Sequence, residues 1–410
     1  MAPPGPSDGM GHIYGMPPRA NPAPKVRAIA RSRSLHVEEF IEGLFGDDLH
    51  AKRVMSLTNA TVGAIRAATL GVHAIGLALA RERGLGEKHA IKQVDRFFSN
   101  NRIDPWSLAD KWVPFVVGQR ADIRVAMDWT DFDADGHATL MLAMLTSHGR
   151  ATPLIWRTYY KSTLRGHRNE YENDLLRRLR ETLPEGVQAV VLADRGFADK
   201  NLYGFLTGSL GFGYLIRFRG CIYVTARNGE TRRADAWVGR GGRAKTLRQA
   251  AVTHDRYVVP TVVCVHARGM EEAWCLASSD PKASATSLIE LYAKRWSIEP
   301  SFRDTKDLHY GMGLSWTHIH RPDRRDRVLL VAAIAIAILT MLGAAGESLG
   351  MDRMLKANTV ATRKYSLFRQ GLLYYLKIPT MAESQLAALM ARFDDILNQH
   401  ASLRASLGVL

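Results

Sequence analysis

Three observations predict a mixed α/β fold with helical regions at both ends. Short apolar runs separated by turn residues begin near Asp122, helical periodicity fills the stretch before them, and helical character returns from about Ser284 around a long apolar segment. At roughly 150 residues per domain, 410 residues hold two to four domains and bury an ample core.

Taken in order, residues 1–36 are rich in Pro and Gly and carry Arg19, Lys25, Arg27, Arg31 and Arg33 against Asp8, the composition of a disordered basic arm. From His36 to about Asn101, apolar residues recur at three- and four-residue spacing, as in VGAIRAATLGVHAIGLALARERG, which predicts helices. Gly84 and Gly86 punctuate before HAIKQVDRFFSNNRI, whose basic and aromatic mixture suits either a DNA-reading helix or an ordinary amphipathic one. IRVAMD, HATLMLAMLTS and TPLIWRTYY read as three strands, with turns at Asp135-Gly136 and His148-Gly149. A charged helix stopped by Pro184 and Gly186, the strand VQAVVLADRG, a short helix over Lys200 to Leu210 and the strand FGYLIRFRG follow. Three meandering strands, then helix, strand, helix, strand, is the order of an RNase H-like mixed sheet.

A second β-rich stretch, with strand candidates CIYVTA, RYVVPTVVCVHA and EEAWCLAS, runs from Cys221 to about Asp280. It reads as an inserted basic subdomain, because Arg217 to Arg248 holds nine Lys and Arg against Glu230 and Asp235. Helices return at SATSLIELYAKRWSIE and continue to MAESQLAALMARFDDILNQH.

Composition narrows the function. With 46% hydrophobic and 23% charged residues the chain folds, and a formal charge of +15 makes a polyanion the first partner to consider. Cys221, Cys264 and Cys275 are three in number and lack C-x-x-C spacing, so they support neither a disulfide framework nor a zinc ribbon and fit a reducing compartment. The first 35 residues contain no apolar run of signal length, which favours the cytoplasm. Val328 to Ala345 is uncharged and near the lower limit for a membrane span, but its alanine content favours a buried core helix.

Two acids end apolar strands, Asp128 after IRVAM and Asp194 after AVVLA. Strand ends are where a rigid sheet presents ligands, although a single acid there is more often a turn former or cap. In LYAKRWSIEPSFRDTKDL, Tyr292, Arg295, Glu299 and Lys306 fall within about 60° of one another on a helix at 100° per residue. A structural stripe should be apolar; this one offers a carboxylate, two cations and a phenol, groups suited to a metal-held phosphate. Pro300 predicts a kink directly after Glu299.

At these residues the sequence resembles the DDE transposases of the insertion-sequence-4 family, whose Y-x2-R-x3-E-x6-K mark is complete here as Tyr292, Arg295, Glu299 and Lys306. DWTD at Asp128 to Asp131, ADRGFAD at Ala193 to Asp199, and GMGL before the long apolar helix extend the resemblance over about 85–375. It implies a metal-binding catalytic triad of Asp128, Asp194 and Glu299 on an RNase H-like fold split by a β-rich insertion. It also implies DNA contacts by Tyr292, Arg295 and Lys306, with Arg303 on the same segment, and a base-stacking role for Trp274. The division that follows is a basic arm (1–36), a helical DNA-binding region (37–118), a catalytic domain in two parts (119–220 and 283–346) around the insertion (221–282), and a helical C-terminal region (347–410).

Oxygen-only ligands favour two Mg²⁺ ions, with Mn²⁺ as substitute. The implied partners are double-stranded DNA, as terminal inverted repeats and as target, and a second copy of the chain; the implied location is the cytoplasm, on the nucleoid when DNA is bound. Asp131 and Asp133 are rivals to Asp128, and His318-Ile319-His320 could instead mark a tyrosine-dependent nuclease. Gly239 to Thr246 nearly matches a P-loop, but Ala244 stands where glycine is required. A DNA-binding protein without catalysis is the alternative from another class.

Overall fold

The computed structural model of the chain describes residues 37–407, so the basic arm expected over 1–36 lies outside the described residues. Five helices come first: α1 (37–45), α2 (Ala51–Ala67), α3 (Val72–Arg83), α4 (Glu87–Phe98) and α5 (Pro105–Val117). Aspartate at the N-cap of α5 accepts from the Trp106 amide, and Pro105 follows at the first helical position, where no donor is lost. The helix predicted around HAIKQVDRFF is α4; it buries Ala90, Val94, Phe97 and Phe98 and exposes Lys88, His89, Lys92 and Arg96.

The strands are β1 (Asp122–Phe132), β2 (His137–Leu145), β3 (Ala151–Tyr160), β4 (Gln188–Ala193) and β5 (Gly213–Phe218), with α6 (Arg168–Thr182) and α7 (Lys200–Gly204) between the last three. Their spatial order is β3-β2-β1-β4-β5, with β1 antiparallel to β2 and parallel to β4. This is the RNase H-like arrangement expected from the element order. Both turns of the meander fall where Gly136 (φ +64°) and Gly149 (φ +82°) supply left-handed backbone that a side chain would strain.

The basic insertion does not stand apart from this sheet. Its strands β6 (Tyr223–Thr225), β7 (Thr231–Arg233), β8 (Lys245–Val252), β9 (Tyr257–Val265) and β10 (Trp274–Ser278) continue it in the order β5-β10-β9-β8-β6-β7, giving ten strands. The sequence reading missed β7 and β8 because TRR is wholly exposed and KTLRQAAV carries too few apolar residues to alternate. Four of the nine cations of Arg217 to Arg248 are engaged within the protein: Arg217 with Glu272, Arg232 with Glu230, Arg233 with Asp235, and Arg248 with the carbonyls of Pro281 and Ala283. The glycine-rich run forms a 3-10 turn at Arg240–Gly242 leading into a strand, whereas a phosphate loop leads into a helix.

Side-chain alternation divides β1 between two layers. Val125 and Met127 join the core beneath α5 and α6, while Ala126 and Phe132 join the core formed with the terminal helices. On that second face lie α8 (Ala285–Lys294), α9 (Ile298–Lys306) and the 27-residue α10 (Pro322–Ser348), followed by α11 (Leu367–Lys377) and α12 (Glu383–Leu407). α10 is long and apolar enough to cross a membrane, but most of it is buried as the central helix of the core. It meets α11 backbone to backbone: a Cβ on Gly343 would lie 1.9 Å from the Leu367 carbonyl oxygen, and one on Gly371 would lie 1.8 Å from that of Leu339. Only glycine permits this approach.

Candidate active site

β1 and β4 run parallel, and their ladder ends at Met127 opposite Ala193. The residue after each of these is an acid, Asp128 within β1 and Asp194 just past the end of β4, so the backbone brings the two side by side. Asp128 is not at the end of its strand, as the sequence suggested. β1 continues for four more residues on β2, and what ends just before Asp128 is its pairing with β4. The Asp128 carboxylate accepts from the Trp129 amide at 2.9 Å, and Asp194 caps the following 3-10 turn by accepting from the Gly196 amide at 2.8 Å.

Glu299 arrives on α9 from the other layer. The segment is not one continuous helix: α8 ends at Lys294, a 3-10 turn spans Arg295–Ser297, and α9 begins at Ile298. The break therefore precedes Glu299 rather than following it, and Pro300 sits in the first turn of α9, where a missing donor costs little. The four residues of the sequence stripe are consequently divided. Tyr292 and Arg295 are buried, Glu299 is exposed, and Lys306 leans on β1, donating to Thr130 Oγ1 at 3.1 Å and to the Asp131 carbonyl at 2.6 Å.

Arg295 links the two layers. Its guanidinium lies 3.3 Å from Asp128 and 3.7 Å from Glu299, with the side chain 7% exposed, while its Nε is buried without a hydrogen-bond partner. Burial is the main cause that pushes the Asp128 carboxyl up to about 6; Arg295 opposes it, and the nearby Asp194 and Glu299 charges raise it further. Burial also raises the Tyr292 phenol, opposed by Arg295 and Arg217. The Lys306 ammonium is pushed down, mainly by its own burial. Among the described residues, no group of three His, Cys, Asp or Glu side chains is arranged to hold a metal ion. The donor chemistry is nevertheless that of a hard divalent cation, and Arg295 stands between Asp128 and Glu299 as their counter-charge.

Other expected residues fall as follows. Trp274 opens β10, half-buried, with its ring 5.1 Å from Tyr292 and 6.0 Å from the exposed Trp296. Arg303 is exposed on α9. The two rivals of Asp128, Asp131 and Asp133, share one cation, Lys161, at 3.2 and 2.5 Å. His318 faces Asp135 at 3.4 Å, and the Tyr160 hydroxyl donates to the His320 carbonyl, which ties both histidines to the β1–β3 end and not to the acids.

Two supports escaped the sequence reading. Glu172 on α6 accepts from Trp129 Nε1 at 2.9 Å, bracing the residue beside Asp128, and burial pushes its carboxyl up to about 7 against the opposing effects of Trp129 and Arg168. Glu272 bridges Arg195, next to Asp194, and Arg217, at 2.8 and 2.7 Å. In a helix as charged as RNEYENDLLRRLRET a glutamate reads as solvent-facing, so nothing in the local sequence singles out Glu172.

Residues 122–338, just over half of the chain, match the family model described as Transposase DDE domain. No curated protein matches the chain. The matched span opens with β1, which carries Asp128, and closes inside α10, beyond the whole Arg295-bridged acid group. With more than half of its residues matched by this model on an RNase H-like sheet, the chain belongs to the transposase DDE domain family.

Proposed function

We propose that this transposase acts as the insertion-sequence-4 resemblance implies: it binds the terminal inverted repeats of its element, cleaves DNA at the ends, and joins the freed 3′-hydroxyls to target DNA. The observation that carries the reading is the parallel ladder that leaves Asp128 beside Asp194 with Arg295 reaching across to Glu299. DDE transposases generally use divalent metal ions. Asp128, Asp194 and Glu299 would hold Mg²⁺, which supplies Lewis acidity for in-line displacement at phosphorus.

The chain's own groups do the rest. Arg295, released from its carboxylates and with Nε unpartnered, binds a phosphate oxygen beside the acids. Tyr292 backs Arg295 from the core, its ring 5.7 Å from the guanidinium carbon, and Trp274 packs edge-on against Tyr292, so a base extruded toward Trp274 or Trp296 would meet an aromatic face. Lys306 fixes the β1 end that carries Asp128, and Arg303 is free to reach DNA from the exposed side of α9. Two copies acting on two ends complete the reading.

The test uses duplex DNA carrying the sequences that flank the coding region, end-labelled and resolved on denaturing gels. Mg²⁺-dependent cuts at the element ends, absent in Glu299→Gln, support the reading. Wild-type protein that shifts this DNA but never cuts it would leave the DNA-binding alternative.

A further inference from the structure

Beyond Met127 the edge of β1 that faced β4 has no strand partner, while β2 still pairs with the other edge, so the turn end of the β1–β2 hairpin projects past β4. On the α6 face of that projection lies a groove of about 570 Å³ bounded by Asp131, Lys161, Leu164, Arg165, Gly166, Arg168 and Asn169. It opens at the same end of the sheet as the acids, since Asn169 donates to Asp199, five residues after Asp194, at 3.2 Å.

Its three cations are in different states. Lys161 is neutralised by Asp131 and Asp133. Arg168 rests on the Trp129 ring at 5.1 Å. Arg165 is exposed and has neither an ion pair nor a hydrogen bond among the described residues. A cation held at a groove wall without a partner suits a ligand that brings its own negative charge.

We propose that this groove is a backbone-phosphate site for the DNA strand that runs from the acids along the free edge of β1, with Arg165 as its principal contact. The proposal rests on the reading of this protein as a DNA-cleaving transposase. The strand could belong to DNA flanking the element end or to target DNA; the shared chemistry is a run of phosphodiesters.

The experiment measures binding of a fluorescent 30-base-pair duplex of mixed sequence across a salt series for wild type, Arg165→Glu and Arg165→Lys, with melting curves as a folding control. Arg165→Glu should weaken binding about tenfold at 50 mM salt and flatten the slope of log K against log salt by about one, whereas Arg165→Lys should stay near wild type. Wild-type affinity and slope in Arg165→Glu would overturn the proposal. Glu299→Gln, which should bind normally without cutting, separates this failure from failure of the cleavage reading. Two further arms locate the strand: loss of first nicking at the end assigns the groove to flanking DNA, and loss confined to joining of a pre-cut end into a plasmid assigns it to target DNA.

Discussion

The strand-borne acids and the helix-borne acid are held in opposite ways. Asp128 and Asp194 follow the last pair of a parallel ladder in the middle of a ten-stranded sheet, and Asp128 is only 21% exposed. Glu299 is 60% exposed on a nine-residue helix that starts after a 3-10 break. The comparison teaches that one side of the site is fixed by backbone pairing while the other is an exposed side chain on a short helix, with Arg295 between them. If the three acids hold a divalent cation as proposed, Glu299 would be the ligand least constrained by backbone pairing, and Arg295 the counter-charge the cation replaces.

The largest effect should come from the scaffold that aligns the two sides. Gly371→Ala or Gly343→Ala forces a Cβ into a carbonyl oxygen across the α10–α11 contact, so each should cost on the order of 3 kcal/mol, read as a reduced denaturant midpoint or loss of soluble protein. Unchanged midpoints would show that α10 and α11 are not locked together as described.

A second prediction sharpens the rigid side. Phenylalanine in place of Trp129 removes the donor to Glu172 and leaves a buried acceptor unpaired, at a cost of about 1 to 3 kcal/mol. Glu172→Gln keeps an acceptor for Trp129 and should cost much less. Equal destabilisation by the two variants would mean that packing, not the hydrogen bond, braces β1.

The same pair gives a pH signature. Because burial raises Glu172 from 4.5 to about 7, the folded state binds this proton more tightly than the unfolded state. The resulting stabilisation is fully present below the unfolded value near 4.5 and is lost as pH rises through about 7. Glu172→Gln should therefore flatten the wild-type decline in melting temperature across that window, and parallel curves for the two proteins would contradict it.

The smallest effect concerns the helix-borne side. Replacing Pro300 by alanine adds a donor in the first turn of α9, where no intrahelical partner is required, and should change stability by less than about 1 kcal/mol. A larger loss would show that the proline itself sets the helix break.

Much of this was legible in the sequence for a physical reason. The β1–β3 meander shows itself in apolar runs bounded by Asp135-Gly136 and His148-Gly149, and the acids stand out because they interrupt apolar strands. The long apolar run read correctly as a core helix because alanine and glycine allow close packing more than they favour lipid. What stayed hidden was long-range. Nothing local tells β10 to pair with β5 and extend the sheet, nor α6 to bury Glu172 against Trp129, nor the helix to break at Arg295 rather than after Pro300.

The central claim is that Asp128, Asp194 and Glu299 act together although two follow a strand ladder and one stands exposed on a helix. The direct measurement is the Mg²⁺-dependent nicking rate on element-end DNA for Asp128→Asn, Asp194→Asn and Glu299→Gln, alongside their affinity for the same DNA. All three should lose at least about 10²-fold in rate while binding within a few-fold of wild type. Near-wild-type nicking by any one of them would remove that residue from the site and contradict the account.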